Sequence, residues 1–172
     1  MPSETPRQKF VKGAKKASLI GKGSSQFKPG EVKMIEPSYW GKETFNKRKK
    51  VVYLNSLKRK PYKISFVKNG NNLVLMKSGR VFDTEKFTTK FYNYAIFVIS
   101  PKGSLYAGKA ALGKFHHSSF LAGGAVLSAG ERQTNSQGFL TFVSNKSGHY
   151  KPKLSNILAG LSFFQGKGVD LS

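Results

Sequence analysis

Apolar residues recur along this chain in short runs up to about position 143, and then at helical spacing near the C-terminus. Val51-Val52-Tyr53-Leu54 is a four-residue run, and Tyr62 to Val67 alternates apolar with polar residues. Asn69-Gly70-Asn71-Asn72 is a turn signal before Leu73 to Met76, and Ser78-Gly79 turns again into Arg80 to Thr84. Such runs bounded by Gly, Asn and Ser predict strands joined as hairpins. Tyr94 to Ile99 is continuously apolar, which predicts a strand buried on both faces. Pro101-Lys102-Gly103 turns from it into Ser104 to Ala107. A further hairpin is predicted where Glu131 to Thr134 and Phe139 to Val143 flank Asn135-Ser136-Gln137-Gly138. Beyond Pro152, apolar residues at 154, 157, 158, 161 and 164 keep helical spacing, with Gly166 and Gly168 to end the helix. The expected fold class is α+β: a mainly antiparallel sheet with a C-terminal helix packed on it.

The first 30 residues break this pattern. Lys, Gly and Ser dominate them, which predicts a disordered basic arm ahead of a single domain over 31–172. Within 31–50, Met34, Ile35, Tyr39 and Trp40 are candidate anchors to a core, and Lys47-Arg48-Lys49-Lys50 is a solvated cluster. No apolar run approaches the about 18 residues that a membrane-spanning helix needs, and no signal-peptide stretch follows the N-terminal lysines. An exported form is therefore expected to leave without a cleaved leader or as part of a larger chain.

Charge changes the picture most. Thirty Lys and Arg against eight Asp and Glu give a net charge of +22. That predicts an anionic partner: nucleic acid bound without sequence preference, or an anionic surface. Lysine predominates, no zinc-finger spacing occurs and the aromatic glycine motif of an RNA-recognition sheet is absent, so sequence-specific reading is not expected. Cysteine is absent as well, which excludes disulfides, thiolate zinc sites and a cysteine nucleophile.

Candidate chemistry gathers between Gly113 and Pro152. His116, His117 and His149 all fall there, as does Glu131, the only acid between Glu85 and Asp170. Histidine titrates near neutrality and serves as base or proton shuttle, and a glutamate can orient it. Ser118 and Ser119 stand beside His117 as nucleophile, hydrogen-bond partner or helix cap. Gly123-Gly124 is either a ligand-approaching loop or a plain turn, and Ser147-Gly148-His149-Tyr150 either lines a pocket or turns into the final helix. Neighbours in a strand or turn alternate, so at most one of His116 and His117 is expected to face a site. No metal is expected, because three histidines without a second acid or a helical i, i+4 pair make no zinc site.

Ile96-Phe97-Val98, Gly103-Ser104-Leu105-Tyr106-Ala107, Gly113-Lys114-Phe115-His116-His117-Ser118-Ser119-Phe120-Leu121-Ala122-Gly123-Gly124, Ala129-Gly130-Glu131, Ser147 to Pro152 and Gly168 to Ser172 occur in this order. Together they resemble a C-terminal module of bacterial polymorphic toxins of the Rhs/YD-repeat type and of insecticidal toxin-complex C-subunits. The His-His-Ser-Ser-Phe…Ser-Gly-His-Tyr-x-Pro pattern also resembles a plant family of calmodulin-binding proteins named for their IQ motif, although no IQ motif occurs here. The toxin resemblance implies an effector domain translocated into a target cell by a carrier toxin chain or delivery machinery. There it would act on a host protein such as actin or a small GTPase, as an ADP-ribosyltransferase-like enzyme using NAD. His116 or His117, Ser119, Glu131 and His149 would then be catalytic, and Ser118, Gly123, Gly124 and Tyr150 would bind the cofactor. No Glu-x-Glu pair is present, which leaves Glu131 as the single catalytic acid. Two other functions fit the residues: a toxic nuclease or nucleic-acid binder using the histidine pair, and a non-enzymatic interaction module.

Overall fold

The computed structural model describes residues 51–87, 93–169 and 171. The expected basic arm, the anchors at 34–40 and the cluster at 47–50 lie outside them. The described chain is α+β, with two antiparallel sheets and a C-terminal helix. A three-stranded sheet runs β1 (Ile64–Asn69), β2 (Asn72–Lys77), β3 (Arg80–Val81) in chain order. The four-stranded sheet has the order β5-β4-β6-β7, from β4 (Ala95–Ile99), β5 (Leu105–Gly108), β6 (Ser128–Thr134) and β7 (Leu140–Val143). Both turn signals between Asn69 and Arg80 make hairpins, and Asn135 closes the β6–β7 turn by accepting the amides of Gln137 and Phe139 on its side-chain oxygen.

β4 is buried along its whole length, as its unbroken apolar run predicts. Ala95, Phe97 and Ile99 face one core, with Ile64 and Leu75 of the small sheet, Phe82, Leu105, Ala107 and Phe164. Ile96 and Val98 face a second core with Leu54, Phe115, Phe120, Val126, Ala129 and Tyr150. The first core is roofed by the small sheet and the C-terminal helix, the second by the segment that carries the histidines.

Two expectations change. Val51 to Leu54 forms no strand: Val52 and Leu54 donate their amides to the carbonyls of Lys114 and Ser119, so the run is pinned to a loop rather than to a ladder. The Gly-rich segment contains a short helix, α1 (His117–Phe120).

The C-terminal helix α2 (Leu154–Lys167) is where expected but turned about its axis. Leu154 is 71% exposed, and the buried residues are Asn156, Ala159, Gly160 and Phe164. Two contacts set this rotation. Asn156 donates from its side-chain amide to Leu127 O at 3.1 Å and accepts the Lys153 amide at 3.0 Å. Gly160 lets the helix press on β6, since a Cβ there would stand 2.7 Å from Ser128 Oγ. A buried amide and a missing side chain carry no weight in an apolar periodicity. Gly160→Val is therefore expected to lower stability by about 1–3 kcal/mol in a urea unfolding titration. Leu154→Ala should stay within about 0.5 kcal/mol of the parent.

Candidate functional site

The three histidines meet above β4 and β6, on the side of the second core. The chain enters α1 with His116 extended, and the His116 amide donates to Ser119 Oγ at 2.9 Å while Ser119 N–H returns to His116 O at 2.9 Å. Ser119 thus caps the helix start, the plainest of its three expected roles. His117, one residue on, sends its ring down to β6, where Nε2–H donates to Gly130 O at 2.8 Å. The tautomer follows from the acceptor: a carbonyl requires the proton on Nε2. Gly130 permits the crowding there, since a Cβ on it would fall 1.8 Å from Ser144 O.

Ser118 Oγ lies 2.8 Å from His149 Nδ1, and the His149 ring packs tilted against His116 with centroids 4.9 Å apart. Tyr53 puts its hydroxyl beside Ser118 without aligned hydrogen-bond geometry. Tyr150 donates its hydroxyl to Gly124 O at 2.8 Å, while the Gly123 amide closes α1 on Ser118 O and the Gly124 amide bonds Leu121 O. Ser147 Oγ accepts the Tyr150 amide at 3.3 Å, making 147–150 the turn that leads into α2. Both neighbouring histidines are buried, contrary to the one-in, one-out expectation. A helix start, unlike a strand, places consecutive residues about 100° apart, so one ring reaches His149 and the other reaches β6.

Electrostatically the cluster is neutral. Burial holds His116 and His117 down to about 4, and the Gly130 hydrogen bond only partly opposes this for His117. His149 is held down to about 3 by burial first, then by the two other rings. Burial raises Tyr150 well above the phenol range, with Tyr53 adding to it. Glu131 does not join this group. It is paired with Lys146 at 3.7 Å, and burial raises its pKa against the pull of that lysine. The structure thus unites His116, His117, Ser118, Ser119, His149, Tyr150 and Gly124, and sets Glu131 apart.

Sequence reasoning missed Tyr53, which reaches the cluster through the pinned Val51–Leu54 segment, and Arg132, whose nitrogens are all buried. Arg132 had a legible signal: it shares strand parity with Ser128, Gly130 and Thr134, all buried.

An α+β domain whose second core is closed by a neutral histidine–serine latch is the class these features define. The chain belongs to the IQM family: the model of the IQ motif-containing protein middle domain matches residues 58–157. Among Arabidopsis thaliana relatives, IQ domain-containing protein IQM2 is 37% identical over 122 residues, covering 71% of this chain and 20% of that protein. IQ domain-containing protein IQM3 is 47% identical over 76 residues, 44% of this chain and 16% of its own length. The chain therefore spans about a fifth of the curated relatives it matches. No solved structure matches it. Among the described residues, no helix is long and apolar enough to cross a membrane.

The plant half of the resemblance stands and the toxin half does not. The relatives are plant IQ domain-containing proteins, which overturns the bacterial effector function, the ADP-ribosyltransferase assignment and translocation into a target cell. A host target and a carrier toxin chain lose their basis with them.

The depressed histidines set a pH dependence. Unfolded histidines bind protons below about 6.5, while the folded ones refuse them until about 4. Stability is thus fully present above pH about 6.5 and falls as pH drops toward 4, by several kcal/mol in total. His117→Gln keeps a donor for Gly130 O without titrating. Its melting temperature plotted against pH should fall less steeply than the parent's across that window, the slope decreasing by the equivalent of about one proton.

Proposed function

We propose that this domain is a non-enzymatic interaction module, which presents a lysine-rich groove to an acidic segment of a protein partner. The observation that carries this reading is the histidine cluster itself. Its rings are held neutral by burial, and their hydrogen bonds join α1, β6 and the 147–150 turn. Catalysis by such a group would need an acid or a charged partner; holding a fold together needs neither.

The charge distribution supports the partner's chemistry. The acids among the described residues are Asp83, Glu85 and Glu131, of which Asp83 pairs with Lys86 at 3.4 Å and Glu131 with Lys146. A concavity of about 490 Å³ between the β1–β2 hairpin, the turn before β5 and α2 is lined by Lys63, Lys68 and Lys167 together with Phe66, Leu73 and Phe163. Cations mixed with apolar side chains suit an acidic segment with a hydrophobic anchor. The relatives' names place IQ domains in the longer proteins, and membership in that family supports an interaction role over a toxic one. The 172 residues hold no IQ motif, so the groove is assigned on its own charge and shape.

Fluorescence anisotropy with a Glu-rich peptide carrying one Phe tests the reading. The triple Lys63→Gln, Lys68→Gln, Lys167→Gln variant should bind about tenfold more weakly, from a few tenths to one kcal/mol per lysine. Glu131→Gln should bind like the parent. Tighter binding of a single-stranded oligonucleotide than of the peptide would shift the partner to nucleic acid. Loss of peptide binding in Glu131→Gln would end the proposal.

An enzymatic reading would rest on Ser118 and His149, whose 2.8 Å contact has the spacing of a nucleophile and its base. A fluorophosphonate probe separates the two. Intact mass spectrometry is expected to find no adduct, and labelling that disappears in Ser118→Ala would establish a nucleophile.

A further inference from the structure

We infer that Lys77 and Arg132 form a binding site for a phosphate-class oxyanion between the two sheets. Lys77 lies opposite Ile64 in the β1–β2 register, and Ile64 belongs to the first core, so this lysine of the small sheet points inward. Arg132, on β6 opposite Ala95 of the same core, points inward from the large sheet. Both address one ring: the Arg132 guanidinium carbon is 4.6 Å and the Lys77 Nζ 5.7 Å from the Phe82 centroid.

Nothing on the described chain neutralises this pair. Arg132 is completely buried, and Nε and both terminal nitrogens have no hydrogen-bond partner. Asp83 and Glu131 are engaged with Lys86 and Lys146. A buried guanidinium without an acceptor is a costly arrangement, and cation–π contact with a single phenylalanine returns only a small part of that cost. The buried threonines next to it, by contrast, are satisfied. Thr134, the next inward residue of β6, donates to Phe82 O, and the Thr134 amide donates to Thr84 Oγ1, which in turn donates to Thr134 O. The segment after β3, Phe82 to Thr84, is thus tied to β6 while the guanidinium beside it is left with its donors unused.

Two positive charges specify the ligand. A carboxylate would neutralise one of them, whereas a phosphate dianion matches both, and the guanidinium fork offers it two parallel donors. Lys77 supplies the approach, being only half buried, with Nζ 4.7 Å from the Tyr62 centroid. Gly108 lies alongside; a Cβ on it would come within 3.7 Å of that ammonium. The site is independent of the groove and of the histidine cluster. Burial, joined by the charge of Arg132, lowers Lys77, consistent with two cations awaiting an anion.

The test uses the full chain titrated with inorganic phosphate, sodium chloride holding ionic strength constant. Melting temperature is one readout and phosphorus NMR line width the other. The parent is expected to show a saturable rise in melting temperature and broadening of the phosphate signal. Lys77→Met should weaken the phosphate affinity about tenfold, as for loss of one charged hydrogen bond, and Arg132→Met should abolish the response. Adenosine monophosphate distinguishes the source. Binding tighter than phosphate assigns the phosphoryl group of a nucleotide, and weaker binding assigns the free ion. A rise no greater than the chloride control, or an equal rise in the parent and in Lys77→Met, overturns the inference; this second variant keeps the test decisive if Arg132→Met does not fold.

Discussion

β4 has apolar side chains on both faces, and the elements packed above and below its sheet keep water from them. A strand of this kind cannot stand at a surface. Its antiparallel neighbours satisfy its backbone but cover neither face, so two separate roofs are required. The first is orthodox: a second sheet and a helix. The second is made of irregular chain, from Val51–Leu54, the 113–127 segment and the 147–150 turn. Irregular chain leaves backbone and side-chain polar groups to be satisfied one at a time. That requirement explains the concentration of His, Ser, Gly and Tyr there. His117 ties the roof to Gly130, Ser118 ties it to His149, and Tyr150 ties the turn before α2 to Gly124.

The same requirement makes this region resemble an active site. Histidine next to serine, glycines in pairs and a tyrosine are residue types chosen both by catalysis and by loop closure. What separates the two uses is the environment rather than the identity of the side chains. Catalytic histidines are kept near neutrality in pKa by carboxylates or solvent. Here burial lowers all three, and each ring raises the difficulty of protonating the next. A histidine held neutral in this way can donate one hydrogen bond and accept another without bringing charge into the roof.

Much of the fold was legible in advance because it rests on apolar periodicity and turn residues. The Asn135 turn, the hairpins of the small sheet and the two-sided burial of β4 all follow from side-chain type. The rotation of α2 did not, since Asn156 and Gly160 dock the helix through a hydrogen bond and a missing side chain, neither visible to a hydrophobic count. Val51–Leu54 was misassigned for a related reason. A short apolar run buries itself equally well in a ladder or against a loop, and only the partner decides. For the site, the gathering of His116, His117 and His149 was legible from sequence proximity, while the exclusion of Glu131 required its Lys146 partner to be seen.

Charge links the fold to what it binds. Most of the cations among the described residues are solvated lysines, which cost the fold little and draw anions from a distance. Arg132 differs in kind, because it sits where a leucine or methionine would pack without electrostatic penalty. Its register partners are Ala95 and Val143, both apolar, and the ring before it is Phe82. A fold under no demand but stability would place another apolar residue there. That β6 instead carries a guanidinium inward, toward a lysine also aimed inward, is a cost that packing alone does not explain and that an anion between the sheets would offset.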